Sequence, residues 1–449
     1  MKNILLLGAG QSASTLIQYL LKLHDTKGWQ IAIGDVNEEL ANKKGEGKAR
    51  GFAFNVTNQA QLEDEVGKVD LVISMLPARF HISVAKACLK LSKHLVTASY
   101  VNDEMRALDA EAKKKGLVFL NECGLDPGMD HMSAMQVIDR IREKGNELIG
   151  FESFTGGLLA PSDDDNPWKY KFTWNPRNVV LAGQGVVKFI QEGRYKFIPY
   201  HRLFRRTEIV HIPKYGEFEG YANRDSLQYL DVYKLRGIKT LYRGTFRRPG
   251  YSMAWNIFVQ LGATDDSYQM EDVATMTHRQ FINSFLSYNP HDSVELKLAH
   301  YLNLDMQGDI MYKLKWVGAF SDELVGLKEG TPAQILEAIL RKKWTLNPYD
   351  RDMIVMWHKF NYIDKSNNGR ETEIHSSIVT IGENTTHTGM SKTVGLPLGI
   401  ATKLILEDKI KSRGVIIPII KELYEPILSE LSEDFGFDFT ESCVLTPRE

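Results

Sequence analysis

The chain has 449 residues, 43% of them hydrophobic and 25% charged, and its 55 Lys and Arg against 57 Asp and Glu give a net charge of −2. This length predicts roughly three domains, and the ordinary composition argues against long disordered stretches. A near-neutral chain lacks the positive field of a nucleic-acid or acidic-membrane binder. Three cysteines without a CxxC pair argue against a disulfide scaffold and a zinc site, and favour a reducing cytoplasm.

The first apolar stretch, residues 4–21, carries no charge and follows Lys2, as a signal peptide or a membrane span would. Small and polar residues at 8–14 interrupt it, whereas a span needs about 20 mostly apolar residues. No small-residue cleavage pattern follows it either. The sequence therefore predicts no membrane segment.

Short apolar runs alternate with helical patterns through the first 125 residues. The apolar spacing predicts strands at 3–7, 30–34, 51–55, 70–75, 94–98 and 117–120, and helices at 14–23, 59–66, 82–91 and 103–115. Strand and helix in alternation predict a Rossmann-type, doubly wound parallel sheet of the α/β class, with helices on both faces.

The pattern changes after Pro127. Helices are predicted at 130–144, 391–406 and 418–431, and strands at 148–155, 209–212, 240–246, 254–261, 352–362 and 371–381. Helical spacing dominates from 269 to 344. These segments predict a mixed α+β domain with a small helical insertion.

A glycine-rich turn joins the first strand to the first helix. Gly8 would allow the tight turn, Gly10 would let a pyrophosphate approach the backbone, and Ala13 would let the helix pack closely on the strand. Gln11 and Ser12 complete the turn, and the helix N-terminus after it offers free N–H groups to phosphates. This GxGxxA arrangement predicts dinucleotide binding.

Asp35 ends the second predicted strand, 22 residues beyond Ala13. A carboxylate at this position accepts both ribose hydroxyls of NAD and would repel the 2′-phosphate of NADP. The prediction is therefore NAD with NADP possible, since a neighbouring Arg or Lys would reverse the preference. A solvated turn Asp is the alternative interpretation. Leu76, after the fourth strand, falls where such a sheet keeps its cofactor crevice.

Several further strings coincide along the chain. They are TASYV at 97–101, GLDPGMDH at 124–131, TGGLLAP at 155–161, DNPWKYKFTW at 165–174, YANRDS at 221–226, RGTFR at 243–247 and RGV at 413–415. Together they closely resemble the saccharopine dehydrogenase family, specifically its glutamate-forming branch. The resemblance spans nearly the whole chain, and the combination is specific although each string alone is not.

The resemblance implies a reaction and an architecture. The reaction is the reversible oxidation of saccharopine by NAD(P) and water to glutamate and 2-aminoadipate 6-semialdehyde. The architecture has a dinucleotide-binding domain at 1–125 to which 385–449 return, a substrate domain at 126–262 and 345–384, and a helical subdomain at 263–344.

The resemblance also assigns residues to the site. The cofactor side consists of Gly10, Gln11, Ser12, Ala13, Asp35, Leu76, Thr97, Ala98, Leu125 and Trp174, and Gly8 of the glycine-rich turn and Val36 beside Asp35 complete the predicted cofactor set. The substrate side consists of Ser99, Tyr100, Asp126, Arg224, Thr245, Phe246 and Arg247. Two departures stand out: fungal members that use NADP tend to carry a basic residue where Asp35 stands, and their Cys before the Gly-Gly pair is Thr155 here.

The residues themselves suit this chemistry. Saccharopine has three carboxylates, and Arg224, Arg243, Arg247 and Arg248 supply planar bidentate donors, although surface arginines would read the same way. Hydrolysis of an imine needs a proton acceptor and a donor, and Asp126 and Tyr100 are the catalytic candidates. Asp126 acting as a helix cap before Pro127 at the first helical position is the alternative. His131 is predicted to be a packed core residue.

Two other functions stay open from the sequence. A related C–N reductase such as a carboxynorspermidine dehydrogenase would want acids where Arg224 and Arg247 stand. A non-catalytic nucleotide-binding relative would show degraded site strings, and here they look intact. The remaining predictions are no metal, a small-molecule substrate, no nucleic acid, a cytoplasmic location, and a homodimer.

Overall fold

Strands and helices alternate through the first part of the chain, as the apolar pattern predicts. The structure is a computed structural model, and it describes residues 1–445. The first elements are β1 (Asn3–Leu7), α1 (Ser14–Lys27), β2 (Gln30–Asp35), α2 (Glu38–Gly45), β3 (Arg50–Ala53), α3 (Gln59–Gly67), β4 (Leu71–Ser74), α4 (His81–Leu91), β5 (His94–Thr97), α5 (Asp103–Arg106), α6 (Asp109–Lys114), β6 (Val118–Leu120) and α7 (Met129–Glu143).

The middle of the chain, Ile149–Asn361, forms a compact unit of its own, and Met1–Leu148 with the chain from Tyr362 onward form the other unit. The elements of the middle segment are β7 (Glu147–Leu159), α8 (Pro176–Val180), β8 (Val186–Gln191), β9 (Arg194–Pro199), α9 (Tyr200–Leu203), β10 (Thr207–Ile212), β11 (Gly216–Ala222), α10 (Tyr229–Val232), β12 (Thr240–Arg247), α11 (Tyr251–Leu261), α12 (His278–Asn283), α13 (Val294–Leu302), α14 (Asp309–Trp316), α15 (Pro332–Trp344) and β13 (Asp352–Asp364). We call this the second unit and the other the first unit.

The chain then returns to the first unit. Its last elements are β14 (Arg370–Ile381), α16 (Gly389–Leu406), β15 (Gly414–Ile416), α17 (Lys421–Phe435) and β16 (Thr440–Leu445). β15 adds to the edge of the first sheet by pairing in parallel with β6, and β14 pairs with β16 in antiparallel. The return therefore supplies one strand of the first sheet.

The first unit is built on a seven-stranded sheet with the order β15-β6-β5-β4-β1-β2-β3, and each described pair of neighbours is parallel. The strand order reverses between β1 and β4, which opens a crevice at the carboxyl ends of these two strands. Residues 4–7 of β1 are fully buried because helices cover both faces of the sheet. The predicted Rossmann-type fold is confirmed.

α16 packs directly on α1 in the first unit. A Cβ atom on Gly395 would lie 2.7 Å from the backbone nitrogen of Leu16, and one on Gly399 would lie 2.5 Å from the ring of Tyr19. Only glycine allows so close an approach of the two helices. Near the start of both helices, the hydroxyl oxygens of Thr15 and Ser391 are 2.7 Å apart.

The second unit contains a mixed sheet in which β10, β11, β12, β7 and β13 are neighbours in that order. β11 and β12 pair in antiparallel, whereas β12 and β7 pair in parallel, and the hairpin β8–β9 joins at β12. The helices α12 to α15 lie within the stretch where helical spacing was expected. The boundaries 1–125, 126–262 with 345–384, 263–344 and 385–449 stay predictions.

Two of the sequence-based elements are wrong. The predicted strand at 254–261 lies within α11. The prediction failed because 9 of the 11 residues of this helix are buried, and a helix buried on most sides is as continuously apolar as a buried strand. The predicted helix at 103–115 divides into the short helices α5 and α6. In the part of the chain that the structure describes, no helix has the length and hydropathy of a membrane span.

Candidate functional site

The glycine-rich turn after β1 has the conformation that its sequence predicts. Gly8 has a φ of +100°, and a Cβ there would lie 3.0 Å from the carbonyl oxygen of Met75. Its N–H donates to the carbonyl of Gly34 over 2.8 Å, which ties the turn to β2. Gly10 faces open space, since a Cβ there would meet no atom within 4 Å. A side chain at Gly8 would strain the turn, and Gly10 leaves room for a ligand.

Main-chain donors remain free in this turn. Among residues 1–445, the N–H groups of Gly10, Gln11 and Ser12 donate to no protein acceptor, and α1 follows directly with its positive N-terminal end. Free N–H groups at a helix N-terminus are the usual partners of a phosphate. The turn therefore fits the pyrophosphate of a nicotinamide dinucleotide.

Asp35 at the end of β2 is anchored to the turn. Its Oδ2 atom accepts the N–H of Ala9 over 2.7 Å, and its Oδ1 atom accepts the N–H of Asn37 over 2.9 Å. Val36 beside it is 85% exposed. Asp35 thus links β2 to the glycine-rich turn, a role that its position in the sequence does not predict.

A lysine from α2 lies beside the same turn. The Nζ atom of Lys44 donates to the carbonyl of Gly10 over 2.8 Å and to the hydroxyl of Ser14 over 2.9 Å. Burial lowers the pKa of Lys44, and the negative charge of Asp35 opposes that shift. Lys44 is therefore a neighbouring cation of the kind that would reverse the predicted preference for NAD. It lies on α2, which the spacing of the sequence did not connect to the turn.

Two loops meet at the carboxyl ends of β5 and β6. The N–H of Cys123 donates to the carbonyl of Thr97 over 3.2 Å, and the N–H of Glu122 donates to the carbonyl of Ser99 over 3.1 Å. A Cβ on Gly124 would lie 2.9 Å from the Cβ of Ala98, so only glycine fits there. The structure thus brings the predicted residues at 97–100 together with those at 125–126.

Tyr100 and Asp126 are hydrogen-bonded. The phenol of Tyr100 donates to the Oδ1 atom of Asp126 over 3.3 Å, and both side chains are partly exposed. α7 begins at Met129 with Gly128 at its N-cap, so the interpretation of Asp126 as the helix cap is wrong. The pair offers a carboxylate and a phenol at one place on the carboxyl edge of the sheet.

Two further polar networks at this edge were missed by sequence reasoning. The imidazole of His81, at the start of α4, lies 2.9 Å from the hydroxyl of Ser74 through Nδ1 and 2.7 Å from the hydroxyl of Ser99 through Nε2. His131 is fully buried, as expected, and its Nε2 atom lies 2.7 Å from the carboxylate of Glu122. A signal for His81 was available, since it follows a strand end by seven residues at the predicted cofactor edge.

The returning segment also reaches the glycine-rich turn. The side-chain amide of Gln11 donates to the carbonyl of Thr385 over 3.0 Å. Thr388 caps α16 by accepting the N–H of Ser391 over 2.9 Å. The loop before α16 is therefore a neighbour of the predicted pyrophosphate site.

In the second unit, the predicted residues of β12 divide between the two faces of the sheet. Thr245 is paired with Tyr221 on β11 and with Thr155 on β7, and Arg247 follows two positions later on the same face. The ring of Phe246 lies on the opposite face, where it stacks on Phe154 with ring centroids 5.2 Å apart. The side chain of Phe246 therefore does not lie on the face that carries Thr245 and Arg247.

Arg247 is buried among aromatic rings. Its guanidinium lies 5.0 Å from the ring centre of Tyr170 and 5.3 Å from that of Tyr251, and it is 3% exposed. In the described chain, its Nε atom and the hydroxyl of Tyr170 have no hydrogen-bond partner. Burial raises the pKa of Tyr170 to about 12, while Arg247 opposes the shift, so the phenol is neutral. Unpaired buried donors of this kind are suited to an anion.

Arg224 and Trp174 of the second unit are more exposed than Arg247, whereas Arg243 is buried. Arg224 follows β11 with a φ of +53°, and its carbonyl accepts the N–H of Lys188 over 3.1 Å. Trp174 is 37% exposed. Arg243, on the face of Arg247, lies 4.1 Å from the ring centre of Tyr229. The assignment of Trp174 to the cofactor and of Arg224 to the substrate stays a prediction.

Comparison with known proteins gives full-length similarities. Residues 4–120 match the family model of the saccharopine dehydrogenase NADP binding domain, and residues 124–437 match that of the saccharopine dehydrogenase C-terminal domain. The chain is 32% identical to a saccharopine dehydrogenase (NADP(+), L-glutamate-forming) of Pyricularia oryzae and 31% identical to that of Saccharomyces cerevisiae, over 99% of both chains in each case. A solved structure of apo histidine-tagged saccharopine dehydrogenase (L-Glu forming) from Saccharomyces cerevisiae matches 99% of this chain and 100% of its own, with 29% identity and a TM-score of 0.89.

Proposed function

The chain belongs to the saccharopine dehydrogenase family, and we propose that it catalyses the reversible oxidation of saccharopine by NADP⁺ and water to glutamate and 2-aminoadipate 6-semialdehyde. The observation that carries this proposal is the 31–32% identity to glutamate-forming saccharopine dehydrogenases over 99% of the chain. The positions of the site residues support a role for them in binding and in proton transfer.

The coenzyme is held by the glycine-rich turn. The free N–H groups of Gly10, Gln11 and Ser12 and the N-terminal end of α1 would bind its pyrophosphate. Leu76 is half-buried and packs against the core at the end of β4, next to the crevice where the strand order reverses. When bound, the nicotinamide ring supplies the hydride chemistry of the reaction.

NADP is the proposed coenzyme, although Asp35 by itself favours NAD. Both curated relatives are named for NADP(+), and the matching N-terminal family model is described as an NADP binding domain. Lys44 supports the proposal because its ammonium group lies at the turn beside Asp35 and offsets the charge that would repel a 2′-phosphate.

We call the face of β12 that carries Arg243, Thr245 and Arg247 the arginine face, and this face suits the substrate. Saccharopine carries three carboxylates, and the unpaired Nε atom of Arg247 together with the free hydroxyl of Tyr170 offers donors to one of them. Thr245 lies on the same face and supplies a hydroxyl. A carboxynorspermidine-type substrate has fewer carboxylates and more amines, and it would gain little from this face.

The Tyr100–Asp126 pair handles protons. After oxidation of the secondary amine, water adds to the resulting imine and loses a proton, which the Asp126 carboxylate would accept. Collapse of the carbinolamine then breaks the C–N bond, and the leaving amine takes up a proton from the same pair. Tyr100 holds the carboxylate through its 3.3 Å hydrogen bond, which keeps acceptor and donor together.

Initial rates with saccharopine and either NADP⁺ or NAD⁺ test both parts of the proposal, followed by the absorbance of reduced nicotinamide. We expect turnover with a higher kcat/KM for NADP⁺. Protein that binds NADPH but neither oxidises saccharopine nor reduces the mixture of glutamate and semialdehyde would refute the proposed function. Turnover with a higher kcat/KM for NAD⁺ would refute the coenzyme assignment alone. The homodimer and the cytoplasmic location stay predictions.

A further inference from the structure

His81 joins the ends of two strands of the first sheet through two hydroxyl groups. It is the first residue of α4, is 5% exposed, and contacts Ser74 at the end of β4 and Ser99 just after β5. We propose that His81 is a positioning residue that fixes the hydroxyl of Ser99 as a hydrogen-bond donor to a carboxylate of the substrate. This inference rests on the proposed function, since it names how that site recognises its substrate.

The direction of the hydrogen bonds follows from the burial of Ser74. Ser74 is 1% exposed, and among the described residues the only hydrogen-bond partner of its hydroxyl is the Nδ1 atom of His81. A buried hydroxyl that does not donate its proton costs free energy. The proton of Ser74 therefore points at Nδ1, which makes Nδ1 the acceptor and places the imidazole proton on Nε2.

The proton on Nε2 determines whether the Ser99 hydroxyl can donate a hydrogen bond to a ligand. Nε2–H donates to the Ser99 oxygen over 2.7 Å, so the proton of the Ser99 hydroxyl is not used by His81. Ser99 is only partly buried, and that proton is free to bind a ligand at the carboxyl edge of the sheet. In the opposite tautomer Ser99 would donate to Nε2, and its oxygen alone would face the ligand. That oxygen would repel a carboxylate.

Thr97 does not change this conclusion. Its Oγ1 atom lies 3.5 Å from Nε2, much farther than the hydroxyl of Ser99, and it accepts the N–H of Ser99 over 3.3 Å. The single lone pair of Nε2 in the opposite tautomer would be taken by Ser99. At 3.5 Å the contact of Thr97 with Nε2 is at the limit of a hydrogen bond, so the proton of Thr97 gains little from the opposite tautomer.

The imidazole also has to stay neutral for this arrangement. Burial lowers the pKa of His81 to about 4, so at neutral pH one ring nitrogen accepts and the other donates. The two serines and the histidine then form one directed chain of hydrogen bonds, from Ser74 through His81 to Ser99, that ends on the substrate.

Ser74→Ala is the sharpest variant, because it leaves His81 and Ser99 in place and removes only the donor to Nδ1. We expect the imidazole to shift toward the Nδ1–H tautomer and the KM for saccharopine to rise about tenfold, with kcat and the KM for coenzyme changed by no more than about twofold. Thr402→Val is the matched control: it removes a buried hydroxyl of the same unit that has no hydrogen-bond partner in the described chain, and both KM values should stay unchanged.

The tautomer is read directly from the long-range proton–nitrogen NMR spectrum of the protein without substrate, in which the His81 signals are those lost in His81→Gln. We expect protonated Nε2 and bare Nδ1. His81→Ala should raise the KM for saccharopine about tenfold, and His81→Gln should recover part of it, because the amide N–H can still donate to Ser99. Thermal melting of each variant shows that it folds.

The outcomes separate the two proposals. Wild-type protein without saccharopine turnover refutes the proposed function, whereas the NMR spectrum still reports on His81. A proton on Nδ1 in the wild type overturns the inference. An unchanged KM for saccharopine in Ser74→Ala or in Ser99→Ala overturns it as well.

Discussion

The glycine-rich turn of the first unit and the arginine face of the second unit offer different kinds of hydrogen-bond donor to an anion. At the glycine-rich turn, the carboxylate of Asp35 is paired with the N–H of Ala9, and the free donors are the main-chain N–H groups of Gly10, Gln11 and Ser12. On the arginine face the main chain is paired within the sheet. There the free donors are side-chain atoms of Arg247 and Tyr170.

Main-chain donors and side-chain donors recognise an anion in different ways. Main-chain N–H groups at a helix start bind a phosphate through local geometry that tolerates changes in nearby side chains. A buried guanidinium depends on its own side chain and on the rings of Tyr170 and Tyr251 that enclose it. We therefore expect substitutions at the two regions to affect different kinetic constants.

The largest effect is expected for the proton-handling pair of the first unit. Asp126→Asn keeps the shape of the side chain but removes the proton acceptor, and kcat for saccharopine should fall about 1,000-fold. Both KM values should change little, as measured by steady-state kinetics. Asp64→Asn, which alters an exposed carboxylate paired with Lys68, is the control and should behave like the wild type. A rise in KM with an unchanged kcat would show that Asp126 only binds substrate.

A smaller but more selective effect is expected on the arginine face. Arg247→Met preserves much of the volume inside the ring cluster and removes the charged donor, so the KM for saccharopine should rise about 100-fold. The dissociation constant of NADPH, measured by fluorescence titration, should stay unchanged. Arg236→Met removes an exposed arginine paired with Asp231 in the same unit and should alter neither. Equal losses for both ligands in folded Arg247→Met protein would contradict the proposed division of tasks.

The smallest effect concerns the choice of coenzyme. Lys44→Met leaves Asp35 without the neighbouring cation, and the KM for NADP⁺ should rise about tenfold while that for NAD⁺ stays nearly constant. Lys43→Met, one residue earlier and exposed on the same helix, provides the control. The ratio of kcat/KM for the two coenzymes is the measurement. A ratio that does not move would mean that Lys44 serves only to hold the turn through Gly10 and Ser14.

Local features of the first sheet could be predicted from the sequence. β1 has the predicted bounds, and the turn after it has the predicted use of Gly8, because both depend on residues close together in the chain. The strand ends at 97–100 and 125–126 also meet as expected, since carboxyl ends of neighbouring parallel strands lie at one edge.

Features that depend on distant pairings could not be predicted. α11 was mistaken for a strand because its apolar run has no face that would reveal a helical period. Lys44 reaches Gly10 from another helix, so no spacing in the sequence pointed to it. The place of His81 after β4 pointed to the cofactor edge, but its contact with Ser99 joins the ends of two strands that only the folded sheet brings together. The face on which each residue of β12 lies became clear only from its pairing with β11 and β7.

The close packing of α16 on α1 affects how the first unit folds during synthesis. The ribosome finishes the first 148 residues long before it makes Gly395 and Gly399, which let α16 lie against Leu16 and Tyr19, and before it makes β15 at the sheet edge. During elongation, the nascent nucleotide-binding sheet therefore lacks β15, and α1 lacks the cover of α16. The time taken to translate the second unit therefore sets how long that apolar surface stays exposed.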